Sequence, residues 1–142
     1  MGKIKIYFLL FFVTIILTSK ASSTKTYFME AKKLFDEKKY SESKFKFEKD
    51  IVFNPKNEKS YLYLARIFNT EKNDVMEEQN LNTVILLNPK NEEAVFLLAL
   101  LKIKKSDYTG SDELIKTFEK ICIKTCERQA ELKIKFKDLE PK

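Results

Sequence analysis

The segment Asn54-Pro55-Lys56-Asn57-Glu58 returns, residue for residue, as Asn88-Pro89-Lys90-Asn91-Glu92, 34 positions on. The flanks keep the same offset: Tyr27 with Tyr61, Leu64 with Leu98, Phe47 with Leu81, and Ala31 with Ala65 and Ala99. Self-similarity at such a period marks stacked supersecondary units, each unable to bury its apolar face alone. Within each unit the spacing is helical. Tyr27, Ala31, Leu34 and Phe35 share one face, as do Tyr61, Leu64, Ala65 and Phe68. A second stripe follows in each, through Phe45, Phe47, Ile51 and Val52, then Leu81, Val84, Ile85 and Leu87. Each unit therefore reads as two helices of about a dozen residues joined by a polar turn, at 36–39 and again at 70–73. Asn-Pro closes each second helix, because proline cannot continue it and pushes the preceding residue out of the α region. Asn and Asp residues, and Ser111, suit the helix starts that follow.

These residues resemble the tetratricopeptide repeat. The first copy carries Tyr27, Glu30-Ala31, Leu34, Ser43, Phe47 and Pro55 at the family spacing. The second fits better, with Tyr61, Leu64, Ala65, Phe68, Leu81 and Pro89, although Glu77 stands where a small residue is usual. In the third, Val95, Leu98, Ala99 and Ser111 fit, while Lys102 replaces an aromatic and Ile123 the proline. The resemblance implies an all-α, tetratricopeptide-like helical-hairpin solenoid of about three repeats, near 24–57, 58–91 and 92–124 in a domain spanning 22–142. The alanines would allow close helix approach. A C-terminal closing helix is expected over about 125–139. Against it, Leu132, Ile134 and Phe136 alternate with lysines as a strand would.

Residues 1–21 have the three-part layout of a secretory signal: Lys3 and Lys5, an apolar run from Ile6 to Leu17 broken only by Thr14, then Ser19-Lys20-Ala21. The rival is a retained membrane anchor. Lys5 and Lys20 bracket a stretch that spans roughly 21 Å as a helix, against about 30 Å of bilayer core. Either way the repeats are expected outside the cytoplasm, in the periplasm or cell envelope, since positive charges stay inside; a buried core helix is the third reading of the apolar run. Cleavage after Ala21 would start the mature chain near Ser22. A polar linker should follow over 21–25, with Thr24 or Thr26 capping the first helix.

Composition excludes several chemistries. With no histidine, a Ser-His or Cys-His nucleophile is out. Two cysteines cannot complete a four-cysteine zinc site, and two glycines build no phosphate-cradling loop. No catalytic residue, metal site or cofactor is expected. The net charge of +6 falls to +3 without Lys3, Lys5 and Lys20. The remaining lysines interleave with acids, so no concentrated nucleic-acid-binding face is expected.

Two features have a plain structural reading. Glu77-Glu78 and Glu92-Glu93 lie near helix starts, where acids suit the helix dipole. Cys122 and Cys126, four apart, would share a face of a helix; a bridge within one helical turn fits disulfide geometry poorly, so inert thiols are expected, with an intrachain bridge, or an intermolecular or redox role, as alternatives.

The resemblance places binding on the inner surface lined by the first helices. Carried over, its positions are Lys25, Phe28, Lys32 and Phe35; Lys59, Leu62, Arg66 and Asn69; and Glu93, Phe96, Leu100 and Ile103. Phe35 and Ile103 have packing between helices as an equal reading. Phe28, Lys32, Phe35, Leu62, Arg66, Phe96 and Leu100 are the expected peptide-binding groove, facing solvent in the free protein. Glu78, on a second helix, should lie on the outer face. Chaperone-docking members clamp a terminal carboxylate, but the clamp places here hold Phe28, Lys32, Tyr63, Glu93 and Leu97. The implied function is a non-catalytic scaffold binding a partner peptide or helix with apolar anchors and some acidic character. The alternatives are a membrane-anchored assembly subunit, touching membrane only through an uncleaved leader, and a secretion-chaperone-like protein holding an apolar client segment.

Overall fold

A computed structural model describes residues 21–138, with side chains from Tyr27 onward. The leader before residue 21 lies outside the described residues. Among the described residues there are seven α-helices and no strand: α1 Ala21–Asp36, α2 Tyr40–Phe53, α3 Glu58–Thr70, α4 Asp74–Leu87, α5 Glu92–Lys104, α6 Tyr108–Ile121 and α7 Gln129–Lys137. A short 3-10 turn, Cys126–Arg128, precedes α7. The closing segment is thus helical: Leu132 is buried and Phe136, one turn on, packs on the same core, while Ile134 and the lysines between them are exposed. The expected linker over 21–25 belongs to α1 instead. No described helix is long and apolar enough to cross a membrane.

The chain divides into two compact units at the first Asn-Pro, one ending at Pro55 and the next beginning at Lys56. In the first unit, α1 and α2 pack as a hairpin around fully buried Ala31 and Phe47. Buried Ser43 seals the contact by donating to the Ala31 carbonyl at 2.9 Å. Phe28 packs tilted on Phe47 with ring centres 5.8 Å apart, and Tyr27 stacks on Phe53 at 5.6 Å.

The second unit holds hairpins α3–α4 and α5–α6, then α7. Leu62, Ala65, Leu81, Val84, Ala94, Leu98 and Leu101 form one core; Val95, Phe96, Ala99, Ile115, Phe118 and Leu132 form the next. The aliphatic and aromatic residues of the 34-residue register supply both.

Each first helix ends the same way. Lys38, Lys72 and Ser106, themselves 34 apart, take left-handed backbone with φ of 59°, 56° and 56°. The next amide then reaches back to the helix: Lys39 to the Leu34 carbonyl, Asn73 to Phe68 and Asp107 to Lys102, each at 2.9 Å. This satisfies carbonyls that a helix end leaves open. No glycine is used for it, which is why so few suffice. Starts are capped by side chains: Asn73, Asn91 and Asp107 accept from the amides of Met76, Ala94 and Gly110. Ser111 is not a cap. It is buried inside α6 and donates to the Asp107 and Tyr108 carbonyls.

Two departures from the register have local causes. Lys102, where an aromatic was expected, sends its ammonium to Glu78 at 2.7 Å and Asp107 at 2.9 Å. Glu78 also pairs with Lys105. It is therefore half-buried and bridged, not a free outer-face residue. Glu77 is buried where Ser43 and Ser111 sit in the other copies, and both its oxygens accept from the Asn69 amide at 3.0 Å.

Burial raises the Glu77 pKa above its ordinary 4.5; the Asn69 bond opposes this, nearby Asp74 adds to it and Lys104 opposes it. A carboxyl with a raised folded pKa holds its proton more tightly when folded. Its stabilising contribution is full below pH 4.5 and is lost as pH rises through the folded value. Glu77→Gln, neutral and nearly isosteric, should therefore unfold at a higher midpoint than the parent at pH 7, and the gap should close by pH 4. Urea titrations at the two pH values check this; a gap independent of pH would exclude the charge as its cause.

Candidate functional site: the inner face of α3 and α5

On α3 the small and aliphatic residues Leu62 and Ala65 turn into the core, which leaves Tyr63 and Arg66, one turn apart, on the neighbouring side. Both are half-buried. The Arg66 guanidinium lies 4.9 Å from the Tyr63 ring centre, within cation–π range. Its Nε donates to Glu93 Oε1 at 3.1 Å and Nη2 to the same oxygen, joining α3 to the first turn of α5. On α5, Leu97 packs against both cores while Leu100 borders the second; each stays half-exposed. The result is a surface with an aromatic, a charge-balanced Arg–Glu pair and two leucines.

The expected groove residues separate on this basis. Arg66 and Leu100 lie on the half-exposed face. Leu62, expected to face solvent, is 8% exposed and belongs to the first core. Phe96, expected likewise, is 1% exposed. The reason is the closing segment. Leu132 of α7, fully buried, packs in the same core, and the Arg128 guanidinium sits 3.5 Å from the centre of the Phe96 ring. In the first unit Phe28 and Phe35 are half-buried; Phe35 meets Tyr40 edge-on at 5.4 Å, and Lys32 pairs with Asp36 at 2.7 Å. Tyr63 and Leu97 are additions to the face. Tyr63 was open to sequence reasoning through its three-residue spacing from Arg66, which places the pair on one helix side.

The edge of this face is fastened by Glu92, the first residue of α5. Its carboxylate accepts from the amides of Ile123 at 2.9 Å and Thr125 at 3.0 Å, from the Lys124 amide, and from the Thr125 hydroxyl at 2.6 Å. The Thr125 hydroxyl and these three amides hold its pKa below the ordinary carboxylate value. The loop that supplies them is closed by a Cys122–Cys126 disulfide. Inert helical thiols were expected, but α6 stops at Ile121 and Cys122 takes extended backbone. The two cysteines therefore span a turn, with Cα atoms 5.2 Å apart, inside the range a bridge requires.

No family model matches the sequence, and no curated protein does either. Solved structures do match in fold. The chain is similar to the first TPR of Spaghetti (RPAP3) bound to the HSP90 peptide SRMEEVD, at 16% identity and a TM-score of 0.73, covering 82% of this chain and 92% of that one. It is similar to the TPR2B domain of yeast Sti1 in its pHsp70 complex, at 14% identity and 0.73, covering 82% and 98%. It is also similar to the Yersinia enterocolitica type III secretion chaperone SycD in complex with a peptide of the translocator YopD, at 10% identity and 0.73, covering 84% and 93%. The 34-residue repeat, the helical hairpins and these likenesses together establish that the chain has the tetratricopeptide-repeat fold.

Proposed function

We propose that this chain is a non-catalytic protein-interaction module, exported to the periplasm or cell envelope, that holds a partner peptide or helix on the inner face of α3 and α5. The observation that carries the reading is the surface of Tyr63, Arg66, Glu93, Leu97 and Leu100. It stays half-exposed while the alanines and second helices take up the packing. An aromatic and an arginine flanked by aliphatic residues are the residue types on which binding energy concentrates. The similar structures named above hold protein or peptide ligands in the same fold. The places of the carboxylate clamp hold Phe28, Lys32, Tyr63, Glu93 and Leu97, so a chain-terminal carboxylate is not the expected ligand. Leucines and Tyr63 favour apolar anchors, and an acidic group on the partner would compete with Glu93 for Arg66. Residues 1–21 would serve as export signal or anchor, and any membrane contact would run through them.

The likeness to SycD with its translocator peptide favours one other reading, a chaperone holding an apolar client segment. That activity belongs in the cytosol, which the leader argues against.

Affinity capture with the tagged chain from separate envelope and cytosolic extracts distinguishes the two. With the captured partner purified, Tyr63→Ala, Arg66→Ala and Leu100→Ala should each weaken binding by more than about 1 kcal/mol, with helical content unchanged. Arg66→Ala should also flatten the salt dependence, because a screened charge contact is gone. Exposed Gln79 on α4 supplies the control, Gln79→Ala. Normal binding by all three variants would move the docking surface elsewhere.

A further inference from the structure

We propose that the Cys122–Cys126 disulfide is a redox-controlled clasp: oxidised, it holds the closing segment down on α5; reduced, it releases that segment and uncovers Phe96. Three observations converge on it. The disulfide closes a loop whose three inner residues, Ile123 to Thr125, all turn their amides onto one carboxylate, that of Glu92. Two residues after Cys126 comes Arg128, which covers the Phe96 ring. Then comes α7, held by fully buried Leu132 and by Gln129 and Lys133 on Glu119.

The physics favours local release. α7 has nine residues, fewer than an isolated helix needs to persist in water. Its structure therefore depends on being docked. Docking depends on the loop ahead of it, and the ring from Cys122 to Cys126 limits the conformations that loop can visit. Opening the ring returns that freedom and spreads the three amides away from Glu92. Helices so weakly tied are those that open below the global unfolding limit.

The chemistry needs a dithiol reductant. One of its thiolates attacks a sulfur of the bridge and the other cysteine leaves as thiolate, taking a proton. The second thiol of the reductant then resolves the mixed disulfide. Two electrons and two protons pass to the cysteine pair, and the reductant departs as its own disulfide. Both cysteines are half-exposed, so a small reductant can reach them. If the inner face binds as proposed above, release would enlarge its apolar floor by Phe96; the clasp itself requires no partner and is tested without one.

Hydrogen exchange, resolved by segment, on the full chain before and after dithiothreitol is the test. Reduction should speed exchange in 129–137 at least tenfold while α3 and α4 keep their protection, and reoxidation should reverse it. The Cys122→Ser/Cys126→Ser double variant should show the fast pattern without reductant and ignore its addition. Unchanged protection of 129–137 on reduction would overturn the clasp. So would an equal loss in α3 and α4, which would make the bridge a general staple, or two free thiols persisting under oxidant.

Discussion

Phe96→Ala should lower the free energy of unfolding by about 3–5 kcal/mol, the usual cost of removing a fully buried phenylalanine. The ring is 1% exposed, packs tilted against Phe118 with centres 5.8 Å apart, and is roofed by Arg128. Truncation removes apolar contacts on several sides and strips Arg128 of the ring it covers. Neither Phe118 nor Leu132, both fully buried, can fill the space without leaving its own. Urea unfolding followed by circular dichroism measures the loss. Leu100→Ala, half-exposed on the same helix, should cost much less and so marks the boundary between core and proposed binding face. A loss below about 1 kcal/mol for Phe96→Ala would mean that α7 stands off α5 in solution and that Phe96 belongs to the open face after all.

That contrast shows where the sequence speaks plainly. The 34-residue register reports backbone architecture, because helix length, the left-handed turn residue and the closing Asn-Pro all repeat with it. Even the three non-glycine turn positions, Lys38, Lys72 and Ser106, follow it. The register says less about exposure. Phe28, Leu62 and Phe96 share one register place, yet Leu62 and Phe96 are buried while Phe28 is only half-buried. What decides Phe96 is a helix that lies after the third repeat, and a groove position is open only if nothing further along the chain covers it. The clue is present in the numbers: Leu132 stands 34 after Leu98 and 68 after Leu64, and Phe136 stands 68 after Phe68. The closing helix continues the register as another first helix, and Leu64, Leu98 and Leu132 are all buried. The cysteine pair was hidden for a related reason. Spacing of four suggests a helix face only while the helix lasts, and α6 ends at Ile121, just before Cys122. Glu92 was legible as a residue suited to a helix start, but its hold on three amides some thirty residues away depends on a tertiary meeting that no local pattern encodes.

Ala65→Phe should be costly for the opposite reason, too much side chain instead of too little. Ala65 is 1% exposed and lies among Leu62, Leu81, Val84, Ala94, Leu98 and Leu101, so α3, α4 and α5 all contribute to its surroundings. Alanine at this register place is what lets the helices approach: Ala31 and Ala99, its counterparts, are both fully buried. A benzyl group there has to push at least one helix outward or force its neighbours off their preferred rotamers. Overpacking of this kind costs roughly 1–3 kcal/mol, and with neighbours on three helices the upper end is expected. In a chain of this size that corresponds to a melting midpoint lower by several degrees for each kcal/mol lost. Lys56→Ala, in the exposed turn between Pro55 and α3, changes nothing comparable and should stay within about 0.5 kcal/mol. Thermal unfolding of the two variants beside the parent decides the matter. If Ala65→Phe melts with the parent, α3 must present a different face to α4 and α5. Tyr63 and Arg66 would then rotate off the inner face together with it, and the proposed binding surface would fail along with the packing.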